Sequence, residues 1–148
     1  MLVRHAEKLG GSDPGLTDAG RARAEALAAV LADAGVDHLV ASQFRRTTDT
    51  AAPLAARLGL EVETRPLDLD DAPASSVEIV RELAASRPGR TVVVVGHSNT
   101  VPAMAQALTG VALDDLDEAD YDNLFVVLYD GDRGRLIRSR YGAPDPIP

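Results

Sequence analysis

Apolar positions along the chain fall into short unbroken runs separated by longer stretches with helical spacing. Leu2-Val3 and Val92-Val93-Val94-Val95 are continuous aliphatic runs, the pattern of strands buried on both faces in a parallel sheet. Val36-Asp37-His38-Leu39-Val40-Ala41-Ser42 reads as another strand, and Leu60-Glu61-Val62-Glu63-Thr64 alternates with period two. Between these runs the period changes. Thr17 fits an N-cap for a helix to about Ala34, with Ala24, Leu27, Val30 and Leu31 at helical spacing and Gly35 as C-cap. A second helix is expected from about Arg46 to Leu58, ended by Gly59. A third, capped by Ser75 or Ser76, is expected to reach about Ser86 before Pro88-Gly89, and a fourth spans about Val101 to Leu108. Asn123–Tyr129 and Leu136–Tyr141 are strands around the turn residues Asp130-Gly131-Asp132-Arg133-Gly134.

The remaining segments are loops. Residues 6–15 contain glycine and proline and are expected to arch over the ends of the strands. Residues 68–74 and 110–121 are acidic and irregular, and the tail Gly142–Pro148 is expected to be loose. The strand–helix rhythm predicts an α/β fold. It is a three-layer sandwich with a mostly parallel six-stranded sheet, helices on both faces and an antiparallel hairpin at the C-terminal side. Residues 1–148 are read as a single domain, without repeats or linkers. The first strand, residues 1–4, is short for a central strand, as a trimmed chain start would make it.

Composition narrows the function classes. The chain is 45% apolar and 26% charged, ordinary for a soluble globular protein, and only 3% aromatic, so its core is aliphatic. It has no cysteine, which excludes disulfides and thiolate metal sites. A net charge of −8 argues against a nucleic-acid partner. No apolar run approaches the roughly 20 residues that span a bilayer, so no membrane partner is expected and the location is read as cytoplasmic. Nothing in the sequence indicates the oligomeric state.

Against that acidic background, two strands end in histidine. Arg4-His5 follows the first, and Gly96-His97 follows the valine run. Residues just past the carboxyl ends of strands line the ligand crevice of an open α/β sheet. The segment Ser42-Gln43-Phe44-Arg45-Arg46 adds arginine at the end of a further strand. A guanidinium donates two hydrogen bonds to neighbouring phosphate oxygens and keeps its charge, and a neutral imidazole is a nucleophile toward phosphorus. The pattern is that of a site that holds an anion and attacks it. His38, near the start of its strand, lies at the wrong end for the crevice.

These segments resemble the histidine phosphatase, or phosphoglycerate mutase-like, superfamily. Leu2-Val3-Arg4-His5-Ala6 matches a strand running into Arg-His-Gly, with alanine for glycine. Ser42, Arg46, Thr50 and Ala51 match Ser-x-x-x-Arg-Ala-x-x-Thr-Ala, with Thr47 in place of the alanine. Gly96-His97 matches the third signature. Leu16-Thr17-Asp18-Ala19-Gly20-Arg21-Ala22-Arg23-Ala24 is similar to Leu-Thr-x-x-Gly-x-x-Gln-Ala, with Arg23 for glutamine. The resemblance runs from Leu2 to about Gln106.

It implies a small phosphatase-type member: a phosphomonoesterase that needs no metal or other cofactor, with His5 as nucleophile through a phosphohistidine. Arg4, Arg46 and His97 bind the phosphoryl group, and helix starts near Arg46 and Asn99 add backbone donors. Spacing from Ser42 and to Thr50 favours Arg46 over Arg45 as the phosphate ligand. Lys8 and Glu7 sit beside the site, while Asp13 and Asp18 read as turn and first-turn helix residues. The general acid is not fixed. Asp68, Asp70 and Asp71 are the candidates, Asp70 marginally ahead, with Asp122 an outside one.

The substrate is expected to be a small phosphorylated molecule or a phosphohistidine protein. Other readings are a phosphosugar or phosphoglycerate mutase, a non-catalytic phospholigand-binding domain and a metallophosphoesterase. The short chain weighs against the first. The His5/His97 pair weighs against the second, since a pure binder needs arginines more than a nucleophile. Three histidines without a His-x-His or Asp-x-His pair weigh against the third.

Overall fold

The computed structural model describes residues 1–145. In chain order it holds β1 (Leu2–Arg4), α1 (Asp18–Leu31), β2 (His38–Ala41), α2 (Arg45–Leu58) and β3 (Val62–Thr64). They are followed by α3 (Ala72–Ser86), β4 (Val92–Gly96), α4 (Thr100–Thr109), β5 (Asn123–Tyr129) and β6 (Gly134–Arg140). The strands form one six-stranded sheet in the order β3-β2-β4-β1-β5-β6. Strands β3, β2, β4 and β1 run parallel, while β5 is antiparallel to β1 and pairs with β6 as a hairpin. This is the expected α/β architecture with its C-terminal hairpin. No helix among the described residues is long and apolar enough to cross a membrane.

Continuous aliphatic strands are needed because both faces of the parallel part are covered. Val3, Leu39, Val93, Val95 and Leu124 point to one face, where Leu27, Ala28 and Leu31 of α1 and Ala51, Leu54 and Ala55 of α2 meet them. Their sequence neighbours Leu2, Val40, Val94 and Phe125 point to the other. There they pack on Val80 and Leu83 of α3 and on Val101, Met104 and Ala105 of α4. The alternation fixes the register, since a one-residue slip of β4 would exchange its two buried faces.

Several boundaries differ from the sequence reading. Helix α1 begins as expected, with Thr17 Oγ1 accepting from Gly20 N at 3.0 Å, but ends at Leu31. A turn, Ala34 N to Leu31 O at 3.1 Å, follows it, and Gly35 takes the reversal at φ +68°. Helix α3 starts at Ala72 rather than after Ser75. Its cap is Asp71, whose Oδ1 accepts from Ala74 N at 3.1 Å, and Pro73 fits the first turn, where no N–H is needed. Ser75 instead accepts from Asp68 N at 2.9 Å.

The tail is held where the sequence suggested looseness. Asp145 Oδ2 accepts from Tyr121 N at 2.8 Å and Asp122 N at 2.9 Å, and Tyr141 is buried. The rest of that expectation, residues 146–148, lies outside the described residues.

Candidate active site

Strands β1 and β4 are parallel neighbours with Arg4 opposite Gly96, so the residues that follow them leave the sheet together at its carboxyl edge. His5 N donates to Gly96 O at 2.9 Å, and the His5 and His97 ring centroids stand 5.5 Å apart. On the far side of β4, strand β2 ends at Ala41, and Ser42 leads into α2, bringing Arg46 to the same edge. Arg4, His5, Arg46 and His97 therefore line one cavity of about 540 Å³, shared with Lys8, Phe44 and Asn99.

Three local devices hold this cluster. A Cβ at Gly96 would lie 2.7 Å from Thr100 Oγ1, and that hydroxyl accepts from His97 N at 2.9 Å. Glycine thus lets β4 run close under the start of α4. Thr50 Oγ1 accepts from Ala6 N at 2.9 Å and donates to Arg46 O at 2.7 Å, tying the loop after His5 to the turn that carries Arg46. Gly20 lets α1 press on the same loop, since a Cβ there would lie 2.1 Å from Glu7 O.

Arg4 is fixed from behind. Its NH1 donates to the carbonyls of Asp117, Glu118 and Asp120 at 2.9, 3.0 and 3.1 Å, and its guanidinium lies 4.1 Å from the centre of the Tyr121 ring. Arg46 lies 4.3 Å from the centre of the Phe44 ring. The Nε atoms of both arginines are buried without a partner among the described residues. Unsatisfied buried donors are costly, and two of them beside one cavity fit an anion. Burial, above all, lowers the pKa of both guanidiniums, yet they start so high that they stay charged.

Both histidines are neutral at pH 7. Burial pushes the His5 pKa down to about 4, with Arg4, Arg46 and Lys8 adding to the effect against the opposing hydrogen bond to Ala6 O. His97 is lowered to about 3 by burial first, then by Arg46, His5 and Arg4. His5 Nδ1 lies 2.8 Å from Ala6 O, an acceptor only, so Nδ1 carries the proton and Nε2 is left with its lone pair. That is the protonation state of a nucleophile.

The acids are distributed differently from the sequence reading. Asp71 is the α3 cap, Asp68 accepts from Asp70 N at 3.0 Å in a local turn, and none of Asp68, Asp70 and Asp71 lines the cavity. Leu67 and Leu69, alternating with Asp68, face it instead. Asp122 is buried under β6, paired with Arg140 and accepting from Asp145 N at 3.3 Å. The carboxylates on the cavity wall are Asp115 and Glu118, from the irregular acidic segment. Acidity was the one sequence signal there, and it was spread over the whole segment.

Lys8 is on the wall, but Glu7 is turned away into Arg23, which donates to both its carboxylate oxygens at 2.8 to 3.1 Å. Burial pushes the Glu7 carboxyl up, yet the Arg23 hydrogen bonds outweigh it and hold it below the usual range. Arg45 is exposed and pairs with Asp49 at 3.3 Å. His38, at the start of β2, is at the opposite end of the sheet.

Among the described residues, Asp120, Asp122 and Asp145 group closely enough to hold a cation. Their oxygens are already engaged by Arg140, Arg23, Asn123 and the backbone N–H groups of Tyr121 and Asp122.

The sequence pattern of the histidine phosphatase superfamily, branch 1, matches residues 1–71 and 68–142. An uncharacterized protein of Mycobacterium tuberculosis is 44% identical over 73 residues, a match covering 44% of this chain and 36% of that protein. The chain thus spans about a third of that curated relative's length. Among solved structures, a mycobacterial glucosyl-3-phosphoglycerate phosphatase in complex with inorganic phosphate superposes with a TM-score of 0.68 at 25% identity. That match covers 92% of this chain and 93% of the other. The tungstate complex of the protein histidine phosphatase SixA reaches 0.75 at 18% identity over 94% of each chain, a likeness of fold.

Proposed function

The chain belongs to the histidine phosphatase superfamily, and from that premise we propose that it is a metal-independent phosphomonoesterase acting through a phosphohistidine on His5. The observation that carries this reading is the state of His5. It is neutral, with Nδ1 tied to Ala6 O and Nε2 free, in a cavity shared with two arginines whose buried Nε donors lack partners.

In this reading Arg4 and Arg46 hold the phosphoryl oxygens, and His97 stands against them from the end of β4. His5 Nε2 forms a bond to phosphorus as the bond to the leaving oxygen breaks, and Glu118 supplies that oxygen's proton. The resulting Glu118 carboxylate then takes a proton from water, whose oxygen bonds to phosphorus as the bond from phosphorus to His5 Nε2 breaks. Inorganic phosphate leaves and His5 returns neutral. Glu118 is preferred to Asp115 because its own carbonyl is held by Arg4 NH1, which keeps its backbone beside the phosphoryl site.

The substrate is a small phosphomonoester or a phosphohistidine on a protein, the two classes that the printed names of the structural neighbours represent. Phe44, Leu67, Leu69 and Leu116 make part of the wall apolar, and Asn99 and Asp115 offer partners for hydroxyls. Labelled substrate quenched in alkaline denaturant should leave base-stable, acid-labile phosphate on wild type and none on His5→Ala, with EDTA without effect on turnover. A panel of phosphorylated metabolites and a phosphohistidine protein then separates the two classes. Activity lost to the chelator, or label persisting on His5→Ala, removes the reading.

A further inference from the structure

His97 is held by a chain of buried hydroxyls. Its Nε2 lies 2.8 Å from Ser42 Oγ, and Ser42 Oγ lies 2.9 Å from Thr47 Oγ1. Thr47 is fully buried and occupies the position where the superfamily motif carries alanine. Each hydroxyl has one proton, so the direction of the chain is decided at its ends.

At one end Thr47 Oγ1 lies 2.7 Å from Phe44 O and 3.1 Å from Ser42 O, carbonyls that only accept. Its proton goes there, so Thr47 Oγ1 accepts from Ser42, and Ser42 Oγ is left to accept from Nε2–H of His97. At the other end Arg46 NH2, which only donates, lies 3.4 Å from His97 Nδ1. Both ends demand the same tautomer.

We propose that Thr47 is a positioning residue which, through Ser42, holds His97 protonated on Nε2, so that an unprotonated Nδ1 faces the phosphoryl site and phosphoryl binding takes up one proton there. The groups facing His97 are Arg46 from α2, and Arg4 and His5 from β1 and the loop after it, with the Phe44 ring 5.3 Å away edge-on. In the ligand-free protein the Arg46 and Arg4 guanidiniums keep Nδ1 bare. A phosphoryl dianion reverses the local field, and Nδ1 takes a proton from solvent or from the monoprotonated ester and donates it to a phosphoryl oxygen. With alanine at position 47 the Ser42 hydroxyl would be free to turn toward Nε2, which favours the other tautomer.

The proposal rests on the phosphatase reading for its consequence, but its test does not need turnover. Nitrogen-15 NMR of histidine-labelled protein at pH 7, with His5→Gln and His38→Gln used for assignment, reports which nitrogen of His97 carries the proton. The expected result is Nε2–H alone in the free protein and both nitrogens protonated on saturation with inorganic phosphate. Thr47→Val and Thr47→Ala should move the tautomer ratio about tenfold toward Nδ1–H, the scale of one hydrogen bond, and Thr47→Ser should restore it.

In kcat/KM the wild type should lose activity on the alkaline side, and the Val and Ala variants should carry that limb to higher pH. A resting Nδ1–H tautomer in wild type overturns the proposal. So do Thr47 variants that lower stability while leaving tautomer and pH profile unchanged. Absence of turnover with the tautomer as expected counts against the phosphatase reading alone.

Discussion

Arg45 and Arg46 are adjacent in sequence and differ in every surrounding that matters. Arg46 is on the cavity wall with a buried, unpartnered Nε, whereas Arg45 is exposed against Asp49. Arg46→Ala should therefore lower kcat/KM by about 10²–10³, the loss typical of one charge-stabilising donor set, and Arg45→Ala should change it less than twofold. Steady-state kinetics showing equal effects would overturn the assignment. His5→Ala should abolish turnover with an unchanged circular dichroism spectrum, because the residue lies at a strand end and its loss opens a polar cavity rather than the core. These residues were legible because spacing from Ser42 to Thr50 encodes a real tie, the Thr50 hydroxyl bridging Ala6 N and Arg46 O. Which carboxylates line the cavity was not legible. Residues 67–70 alternate Leu-Asp-Leu-Asp, and composition does not say which half faces inward; the leucines do. Glu118→Gln should accordingly slow an alkyl phosphate at least about tenfold more than p-nitrophenyl phosphate, whose leaving group departs without a proton. Asp68→Asn and Asp70→Asn should treat both esters as wild type does. If Glu118→Gln slows the two equally, the proton comes from Asp115 or water.

Helix α1 shows how an element far from the chemistry serves it. Gly20 is in its first turn, and a methyl there would meet Glu7 O at 2.1 Å, against backbone rather than a side chain that could swing aside. Gly20→Ala should destabilise the fold by about 1–3 kcal/mol, as overpacking does, and shift the loop that follows His5. Thermal denaturation should show the lower Tm, and kcat should fall with it; an unchanged Tm would mean that α1 can slide on the sheet. The element pattern itself was readable because both faces of the parallel strands are buried, so aliphatic runs had no polar competitor. Misplaced boundaries have physical causes. Asp71 caps the helix from within the acidic run, and Pro73 marks a first turn rather than a loop. The segment 110–121 leaves no side-chain signature in the sequence because it fixes Arg4 through backbone carbonyls, which every residue type carries. The expected loose tail is tied down to Asp145 by N–H groups that leave no trace in composition either.

On the scale of the whole molecule, the fold sets two buried imidazoles beside two guanidiniums at one edge of the sheet. The free protein buries two neutral imidazoles among Arg4 and Arg46, with pKa values near 4 for His5 and near 3 for His97. In the unfolded chain both return to about 6.5. As pH falls below about 6.5, the unfolded state therefore binds protons that the folded state refuses, and stability declines down to the folded pKa values. Glu7 works in the same direction at lower pH, since its carboxyl is held below the usual range and its contribution fades as it protonates. The ligand-free protein should thus lose Tm steadily between pH 6.5 and 4, with the steepest loss beginning at the histidine range rather than the carboxylate range. His5→Gln and His97→Gln together should flatten the upper part of that slope. Inorganic phosphate at about 100 times its Kd should add about 2.7 kcal/mol at any one pH. Because binding protonates His97 in the reading above, phosphate should bind more tightly as pH falls until the free ligand is itself the monoanion, which then brings the proton with it, and no more tightly below that point. Calorimetry at pH 5.5, 6.5 and 7.5 decides this: a Tm slope identical in wild type and the double variant would mean that the two imidazoles are not held neutral by the fold.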